Sequence, residues 1–314
     1  MIVALAGGVG AGKFLRGLVR VVDPEDVTVI VNTGDDIILH GLHISPDLDS
    51  VMYWLAGVAD RDRGWGRTGE SFRAMEALKE LGGEAWFGLG DLDLATHLYR
   101  TDLLGSGTPL SEVTDSIARR LGLRSRIIPM SDDPVVTRIE AVDESGRALD
   151  LHFQEYWVAR GARDDVKTVR YDGADQARPA PGVVEAIHGA DAVIVCPSNP
   201  VASIRPILAL RPIAEELRYR RDRSVGISPI VGGAPIRGMA DRLMPAVGME
   251  LSAFGAAAAY QGLVDAFLID ERDARLADRI RSDLRMRVAA VDTIMVDDSA
   301  AERLARAALE LVPG

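Results

Sequence analysis

Residues 1–13 have the sequence MIVALAGGVGAGK, in which a short apolar run is followed at once by glycines and a lysine. Residues 2–6 predict a buried β-strand, and the apolar spacing over 14–22 predicts a helix. Glycines between a strand and a helix allow backbone N–H groups and the helix N-terminus to approach a phosphate. The stretch therefore predicts the start of an α/β protein with a phosphate-binding loop. Its candidate ligands are Gly8, Gly10, Gly12 and Lys13.

This glycine loop matches no nucleotide-binding motif completely. The pattern GxxxxGK is met from Gly7 to Lys13, but Phe14 stands where a magnesium-binding P-loop has Ser or Thr. The loop also lacks the GxGxxG spacing of dinucleotide folds. An ordinary ATPase or dehydrogenase is therefore disfavoured, and a tight turn without a ligand stays open for this loop.

The alternation of apolar runs and helical spacing continues along the chain. Further β-rich or apolar runs occupy 27–31, 86–89, 126–128, 183–187, 192–196, 224–228, 265–270 and 291–296. Helical patterns occupy 49–59, 69–81, 204–219, 271–287 and 300–311. We expect one α/β domain over 1–314, with a Rossmann-like, mainly parallel sheet and helices on both faces. Residues 135–172 predict a small antiparallel β element, and 271–314 predict peripheral C-terminal elements.

Composition excludes several classes of protein. The 36 Lys+Arg residues against 47 Asp+Glu give a net charge of −11, which disfavours nucleic acid as a partner. The single cysteine, Cys196 in the run AVIVC, excludes an internal disulfide and predicts a buried, inert thiol. No apolar run approaches the roughly 20 residues of a membrane span, and the N-terminus lacks signal-peptide features. We therefore expect a cytoplasmic protein without a membrane partner.

Polar and small residues follow the predicted strands repeatedly. These loops are 7–13, 32–36, 90–93, 129–133, 197–200 and 228–233. The carboxyl ends of parallel strands share one rim of a sheet, and ligands bind there at the point where the strand order reverses. Six such loops predict a sizeable polar site.

Acidic residues follow the second strand and indicate a cation at this site. Asp35 and Asp36 come directly after the strand, and Asp49 belongs to the nearby segment PDLD at 46–49. Magnesium prefers one or two carboxylates together with phosphate oxygens. We favour Asp35 and Asp49 as its ligands, whereas Asp132 and Asp133 are better explained as turn formers. The nearby histidines have no zinc-binding spacing and are interpreted as structural.

Several long segments resemble one family. They are NTGDDIILHGLHISPDLDSVMYWLAG at 32–57, WFGLGDLDLATHLYRT at 86–101, LSEVT at 110–114, IPMSDDPVVT at 128–137, HFQEYWV at 152–158, PSNPVASI at 197–204 and SPIVGG at 228–233. In this order, over roughly residues 1–298, the chain resembles the 2-phospho-L-lactate transferase family of coenzyme F-420 biosynthesis. The actinobacterial branch of that family is called phosphoenolpyruvate transferase.

The resemblance implies a magnesium-dependent transferase. A phospho-three-carbon acid (phosphoenolpyruvate or 2-phospholactate) would pass from its guanosine diphosphate ester to the deazaflavin Fo, with release of GMP. It implies Asp35 and Asp49 as catalytic residues and Asp35, Asp36 and Asp49 as metal ligands. The implied substrate-binding residues are Gly8, Gly10, Gly12 and Lys13 for diphosphate, Ser198, Asn199, Gly232 and Gly233 for guanosine and phosphate, and Asp49, Gly88 and Asp91 for the deazaflavin.

Two departures and two alternatives accompany this interpretation. Many members carry an arginine in the WFxLGDxD segment, where this chain has Gly88 and Leu92. If that arginine binds Fo or phosphate in those members, either Arg100 or another basic residue substitutes for it here, or the affinity is lower. The segments GADQA and APGVVEAI favour the enolpyruvyl group. A non-enzymatic, nucleotide-sugar-binding regulator of the gluconeogenesis-factor type stays open, as does a nucleotide hydrolase. An α/β enzyme of this size is also expected to form a homodimer.

Overall fold

The computed structural model describes residues 1–313. Its strands are β1 Ile2–Ala6, β2 Val27–Val31, β3 Ile37–Leu39, β4 Leu42–Ile44, β5 Arg126–Pro129, β6 Val136–Val142, β7 Ala148–His152, β8 Asp165–Asp172, β9 Ala192–Val195, β10 Ser224–Ile227, β11 Ile230–Val231, β12 Ala234–Pro235, β13 Ala266–Asp270 and β14 Arg287–Val291. Its helices are α1 Gly8–Val21, α2 Pro46–Ala56, α3 Arg73–Glu80, α4 Asp91–Gly105, α5 Leu110–Arg120, α6 Val183–His188, α7 Arg205–Ala209, α8 Arg211–Tyr219, α9 Ala240–Ala246, α10 Ala253–Ala258, α11 Ala277–Arg279 and α12 Asp298–Glu310.

Seven strands form a parallel sheet in the order β14-β13-β10-β9-β1-β2-β5. From β1 the chain moves outward through β2 to β5, then returns to the other side of β1 and moves outward from β9 to β14. This reversal creates a switch point between β1 and β9, outside whose carboxyl ends a crevice opens. The predicted fold class, a Rossmann-like sheet with added antiparallel strands, is confirmed.

Both faces of the sheet are covered, as period-2 alternation in β1 illustrates. Val3 and Leu5 pack into the core beneath α6–α10 and the small sheet β7-β6-β8. Ile2, Ala4 and Ala6 point the other way, into the core beneath α1, α2, α5 and α12. Strands buried on both faces consist of near-continuous apolar residues, which is why these runs are conspicuous in the sequence.

The antiparallel element predicted within 135–172 is present. β6 lies between β7 and β8 and pairs with both in antiparallel register. Its burial alternates along the strand, with Ile139 and Ala141 facing the core. Among residues 1–313, every helix falls short of the length and apolarity needed to cross a lipid bilayer.

Two predicted elements are wrong because apolar runs pack without pairing as strands. Residues 86–89 form no strand; Leu89 is buried in a small cluster with Ile44 and Met75, and α4 follows. Residues 183–187 belong to helix α6, which buries Val183 and Ile187. These two residues are four apart and therefore share one face of the helix.

Two further elements have different bounds from those predicted. The last strand is Arg287–Val291, so the prediction at 291–296 is misplaced by several residues. The helical pattern over 204–219 is divided at Leu210, whose backbone is extended. Pro212 in the first turn of α8 lacks the N–H that a continuous helix would require, so a new helix begins there.

Candidate active site

A cavity of about 690 Å³ opens at the switch point between β1 and β9. Residues of five of the six predicted polar loops line this switch-point cavity, together with residues of α2 and α4. The sixth loop lies elsewhere: Asp132 accepts a hydrogen bond from the backbone N–H of Ser111 (2.6 Å), and Asp133 accepts one from the backbone N–H of Arg178 (2.8 Å). These two aspartates therefore bind distant backbone segments, at the start of α5 and at Arg178, and the hydrogen bonds that they accept are not those of local turns.

The glycine loop forms the floor of the cavity. Gly8, which begins α1, and Gly10 both line the cavity. Gly10 is packed so closely against the carbonyl of Pro197 that the loops after β1 and β9 are in contact. Gly12 is turned away, against the indole of Trp54. Lys13 lines the cavity with its ammonium 5.7 Å from the centre of the Trp54 ring.

Asp35 and Asp47 form a buried acidic pair on the cavity wall. The side-chain amide of Asn32 donates to both carboxylates, at 3.1 Å and 2.9 Å, and Gln154 donates to Asp35 at 2.8 Å. Burial, and then the charge of Asp47, raises the pKa of Asp35 well above its usual range. Burial is also the main cause that raises the pKa of Asp47 to about 7. The side chains of Asn32 and Gln154, which donate to these two neighbouring carboxylates, are uncharged, so the negative charge of the pair is not balanced by them. Such a pair is suited to binding a hard cation.

Asp47 is a site residue that sequence reasoning did not select. It lies in the segment 46–49, where Asp49 was preferred. Its carboxylate lies against Gly7 and accepts a hydrogen bond from the backbone N–H of Gly8. Asp47 lies in the first turn of α2, and this turn is beside the glycine loop. Its place at the start of a helix was the feature of the sequence that could have identified it.

Asp36 faces away from the cavity. It accepts hydrogen bonds from Ser45 Oγ (2.6 Å) and lies 3.0 Å from His43 Nε2. Burial raises its pKa, and its Oδ1 atom has no hydrogen-bond partner among the described residues. The structure therefore separates Asp36 from Asp35, because adjacent residues after a strand point in different directions.

Asp49 lines the cavity but has a partner of its own. Arg100, which is fully buried, donates to both carboxylate oxygens of Asp49, and its Nη1–Oδ2 distance is 3.0 Å. The Nδ1 atom of His97 lies 3.2 Å from the same guanidinium. Asp49, Asp93 and His97 each place a metal-ligating atom within 4.8 Å of the others. The charge of Arg100 disfavours a second cation at these three residues.

Tyr53 and Asp93 complete this buried network. The Tyr53 hydroxyl donates to Asp93 at 2.7 Å, and both side chains line the cavity. Asp93 and His97 are four residues apart on α4 and therefore share one face of that helix. This i,i+4 spacing in DLDLATH was the signal available in the sequence for these residues.

The expected substitution by Arg100 is wrong. Its guanidinium is fully buried behind Asp49 and does not line the cavity. The basic residue that does reach the cavity, besides Lys13, is Arg237 in the loop after β12. Burial, and then the charge of Arg237, lowers the pKa of Lys13. Arg237 escaped prediction because nothing in its local sequence indicates that it faces this cavity.

The remaining predicted residues divide between the cavity and its supports. Ser198 and Asn199 line the cavity; Ser198 Oγ donates to the carbonyl of Gly7 (2.8 Å), and Asn199 caps the helical turn that follows. Gly88 lines the cavity beneath the Trp65 indole. These three positions are therefore open to a ligand.

Three other predicted positions lie outside the cavity lining. Gly232 and Gly233, with φ of +60° and +82°, form the turn between β11 and β12. The backbone N–H of Gly232 donates to Asp273 at 2.8 Å. Asp91 accepts hydrogen bonds from Ser71 and from the backbone N–H of Ala74. These residues support the loops around the cavity.

The mouth of the cavity is apolar and aromatic. Trp65 and Trp157 are 40% and 38% exposed, and Ile236 is 57% exposed, although all three line the cavity. Exposed apolar groups around a concave site are a usual feature of small-molecule binding. The mouth is therefore suited to a flat, aromatic ligand, whereas the glycine loop is suited to phosphate and the acidic pair to a cation.

Together, the fold and the cavity define a doubly wound α/β protein with a cavity at the switch point, the place where proteins of this fold class bind ligands. The family model described as "2-phospho-L-lactate transferase CofD" matches residues 2–310. The chain belongs to this family of transferases, which confirms the resemblance in its sequence segments.

Individual relatives agree with this assignment. Phosphoenolpyruvate transferase of Streptomyces griseus is 48% identical over 312 residues, covering 99% of this chain and 98% of the relative. The 2-phospho-L-lactate transferase of Methanosarcina acetivorans is 40% identical over 304 residues, covering 96% of each. A crystal structure of a UPF0052-family protein from Bacillus halodurans has the same fold, with a TM-score of 0.63, 17% identity and 98% coverage of each chain.

Proposed function

We propose that the protein transfers a phospho-three-carbon acid from its guanosine diphosphate ester to the deazaflavin Fo and releases GMP. The observation that carries this proposal is one cavity that combines the acidic pair Asp35–Asp47, the glycine loop with Lys13, and an aromatic mouth. The donor needs phosphate and metal ligands, and the acceptor needs apolar walls. Relatives named phosphoenolpyruvate transferase favour the enolpyruvyl group.

The residues present fit a magnesium ion at the acidic pair. Asp35 and Asp47 would hold it, because both are buried on the wall and neither has a cationic partner among residues 1–313. Of the other predicted ligands, Asp36 faces away and Asp49 is paired with Arg100. When bound, magnesium would neutralise charge on the phosphate oxygens during transfer.

The donor's diphosphate would lie on the glycine loop. The backbone N–H of Gly8 is already donated to Asp47. The first turn of α1 at Gly10 still favours an anion, and the Lys13 ammonium adds a full charge. Ser198 and Asn199 line the adjacent wall and are available to the nucleoside. The switch-point position supports this arrangement, since nucleotides bind there in this fold class.

The acceptor would enter through the mouth, with its ring system beside Trp65, Phe87 and Trp157. Its terminal ribityl hydroxyl would attack the phosphorus that bears the three-carbon acid. The new O–P bond would form as the bond from that phosphorus to the GMP oxygen breaks, and the hydroxyl proton would leave with the phosphate of GMP. Asp49, whose position is fixed by Arg100, would accept a hydrogen bond from this hydroxyl and orient it. The homodimer and the cytoplasmic location stay predictions.

A one-pot assay read by mass spectrometry tests the proposal. Purified protein is combined with magnesium, Fo, GTP, a donor-forming guanylyltransferase, and either phosphoenolpyruvate or 2-phospholactate. We expect a new mass of Fo plus the phospho-three-carbon acid, which is lost when magnesium is chelated. Confirmed donor formation without a new mass would contradict the transferase and favour the non-enzymatic regulator. Magnesium-dependent GTP turnover without Fo would instead favour the nucleotide hydrolase.

A further inference from the structure

Two cations lie along the same wall of the switch-point cavity. The Lys13 ammonium lies 5.7 Å from the centre of the Trp54 ring, and the Trp54 indole N–H donates to the carbonyl of Gly64 (3.3 Å). The Arg237 guanidinium packs directly against Gly64 and donates to the carbonyl of Arg63. These contacts connect Lys13 to Arg237 through Trp54 and the backbone of Arg63 and Gly64.

Neither cation has a carboxylate partner in the part of the chain that the structure describes. The groups that act on Lys13 are its own burial and the charge of Arg237, and both lower its pKa. Among residues 1–313, Arg237 donates a hydrogen bond to a single acceptor, the neutral backbone carbonyl of Arg63. Like charges held close together in a partly buried site are stabilised when an anion binds between them. The wall is therefore suited to a ligand with more than one negative charge.

The two cations differ in what they can bind. Lys13 belongs to the glycine loop and adds a point charge where backbone N–H groups already favour phosphate. Arg237 lies in the loop after β12, near the mouth, and contacts the segment that carries Trp65. A guanidinium presents five N–H donors in a planar fork that matches a carboxylate. A single one of these donors is used by the Arg63 carbonyl.

We propose that Arg237 binds the carboxylate of the donor's three-carbon group, while Lys13 binds the diphosphate. This inference rests on the proposed function, because the transferred group must lie between the glycine loop and the acceptor at the mouth. Arg237 lies on the part of the wall that is near the mouth. It is therefore a specificity residue that selects diphosphate esters of α-hydroxy or enol acids over esters that lack a carboxylate.

The test uses two guanosine diphosphate esters that differ in one carboxylate. One ester carries lactate and the other carries isopropanol, and a methylene group between the phosphorus atoms of each prevents turnover. Their binding with magnesium is measured by titration calorimetry on the wild-type protein and on Arg237→Ala, Arg237→Lys and Lys13→Ala. Thermal unfolding of each variant checks that it is folded, which we expect because Arg237 is exposed.

We expect the wild-type protein to bind the lactate ester about 10-fold or more tightly than the isopropyl ester. Arg237→Ala should bind both esters alike, with the isopropyl affinity unchanged, and Arg237→Lys should keep part of the preference. Lys13→Ala should lower the affinity for both esters by the same factor. If Arg237→Ala keeps the wild-type preference for the lactate ester, or lowers the affinity for both esters equally, the assignment of Arg237 is wrong. If the wild-type protein binds neither ester, the proposed function fails and the assignment fails with it.

Discussion

The carboxylate of Asp49 and the guanidinium of Arg100 form a bidentate ion pair in the wall of the switch-point cavity, with Arg100 completely removed from solvent. The carboxylates that line the cavity are therefore of two kinds. Asp49 is charge-balanced and fixed in position, whereas Asp35 and Asp47 have no cationic partner among residues 1–313 and their pKa values are raised, in both cases mainly by burial. The first kind is suited to orienting a hydroxyl, and the second is suited to binding a cation.

Arg100→Ala should destabilise the protein by about 3–5 kcal/mol, because it leaves the buried Asp49 carboxylate without its partner. Urea unfolding followed by circular dichroism measures this change. Arg119→Ala is the matched control, since Arg119 pairs with Asp115 four residues away on the surface of α5. The control should change the free energy of unfolding by less than about 1 kcal/mol. Equal effects of the two substitutions would contradict a structural role for the Asp49–Arg100 pair.

Asp35→Asn and Asp47→Asn should each abolish magnesium-dependent transfer while the protein stays folded. Each substitution removes one of the two carboxylates proposed to bind the ion. The mass-spectrometric assay, run over a range of magnesium concentrations, measures the loss. Asp132→Asn is the control, because Asp132 also follows a parallel strand but lies outside the cavity lining. Full activity of Asp47→Asn would remove Asp47 from the metal site.

The stability of the metal-free protein should carry a pH dependence that comes from Asp47. Its pKa is about 7 in the folded chain and about 3.9 in an unfolded one. Between these values the folded state binds the extra proton, so this group's contribution to stability falls as the pH rises from about 4 to 7. The free energy of unfolding of Asp47→Asn, measured with urea and a chelator present, should therefore exceed that of the wild-type protein by more at about pH 8 than at about pH 5. An equal difference in unfolding free energy at both pH values would contradict this prediction.

Gly10→Ala should separate the two loops that meet at the switch point. An added Cβ would collide with the Pro197 carbonyl, which is backbone and cannot rotate away. We expect a loss of about 1–3 kcal/mol in stability and weaker binding of guanosine diphosphate by calorimetry. Gly105→Ala is the control, because a Cβ added there would meet no described atom within 4 Å apart from its chain neighbours and the backbone of its own helix. Wild-type binding by Gly10→Ala would show that contact between the loops is not required.

Local sequence patterns determined much of this architecture. Strands β1, β2, β5, β9, β10 and β13 coincide with apolar runs, because a strand buried on both faces has apolar residues throughout. The polar loops after most of them follow from the same pattern, since the carboxyl ends of parallel strands share one rim. Asp35, Lys13 and the glycine loop could therefore be placed near one another before the structure was known.

Local sequence patterns predicted the wrong element where an apolar run could be buried in more than one way. Leu89 packs into a side cluster instead of pairing as a strand, and 183–187 coils into α6 instead of extending. Both outcomes depend on which surface is available to cover the run. Hydrophobic burial has no direction, so the sequence alone does not distinguish these arrangements.

Partnerships between distant residues were decided by the tertiary structure alone. Asp49 and Arg100 are 51 positions apart, and Arg237 reaches the backbone of Arg63 across 174 positions. The sequence by itself determined that acidic and basic side chains would gather at the rim of a parallel sheet. Which carboxylate is balanced by a buried arginine, and which two are left for a cation, depends on distances of a few ångströms. Those distances exist only once the helices have packed on the sheet, because electrostatic pairing acts through space and not along the chain.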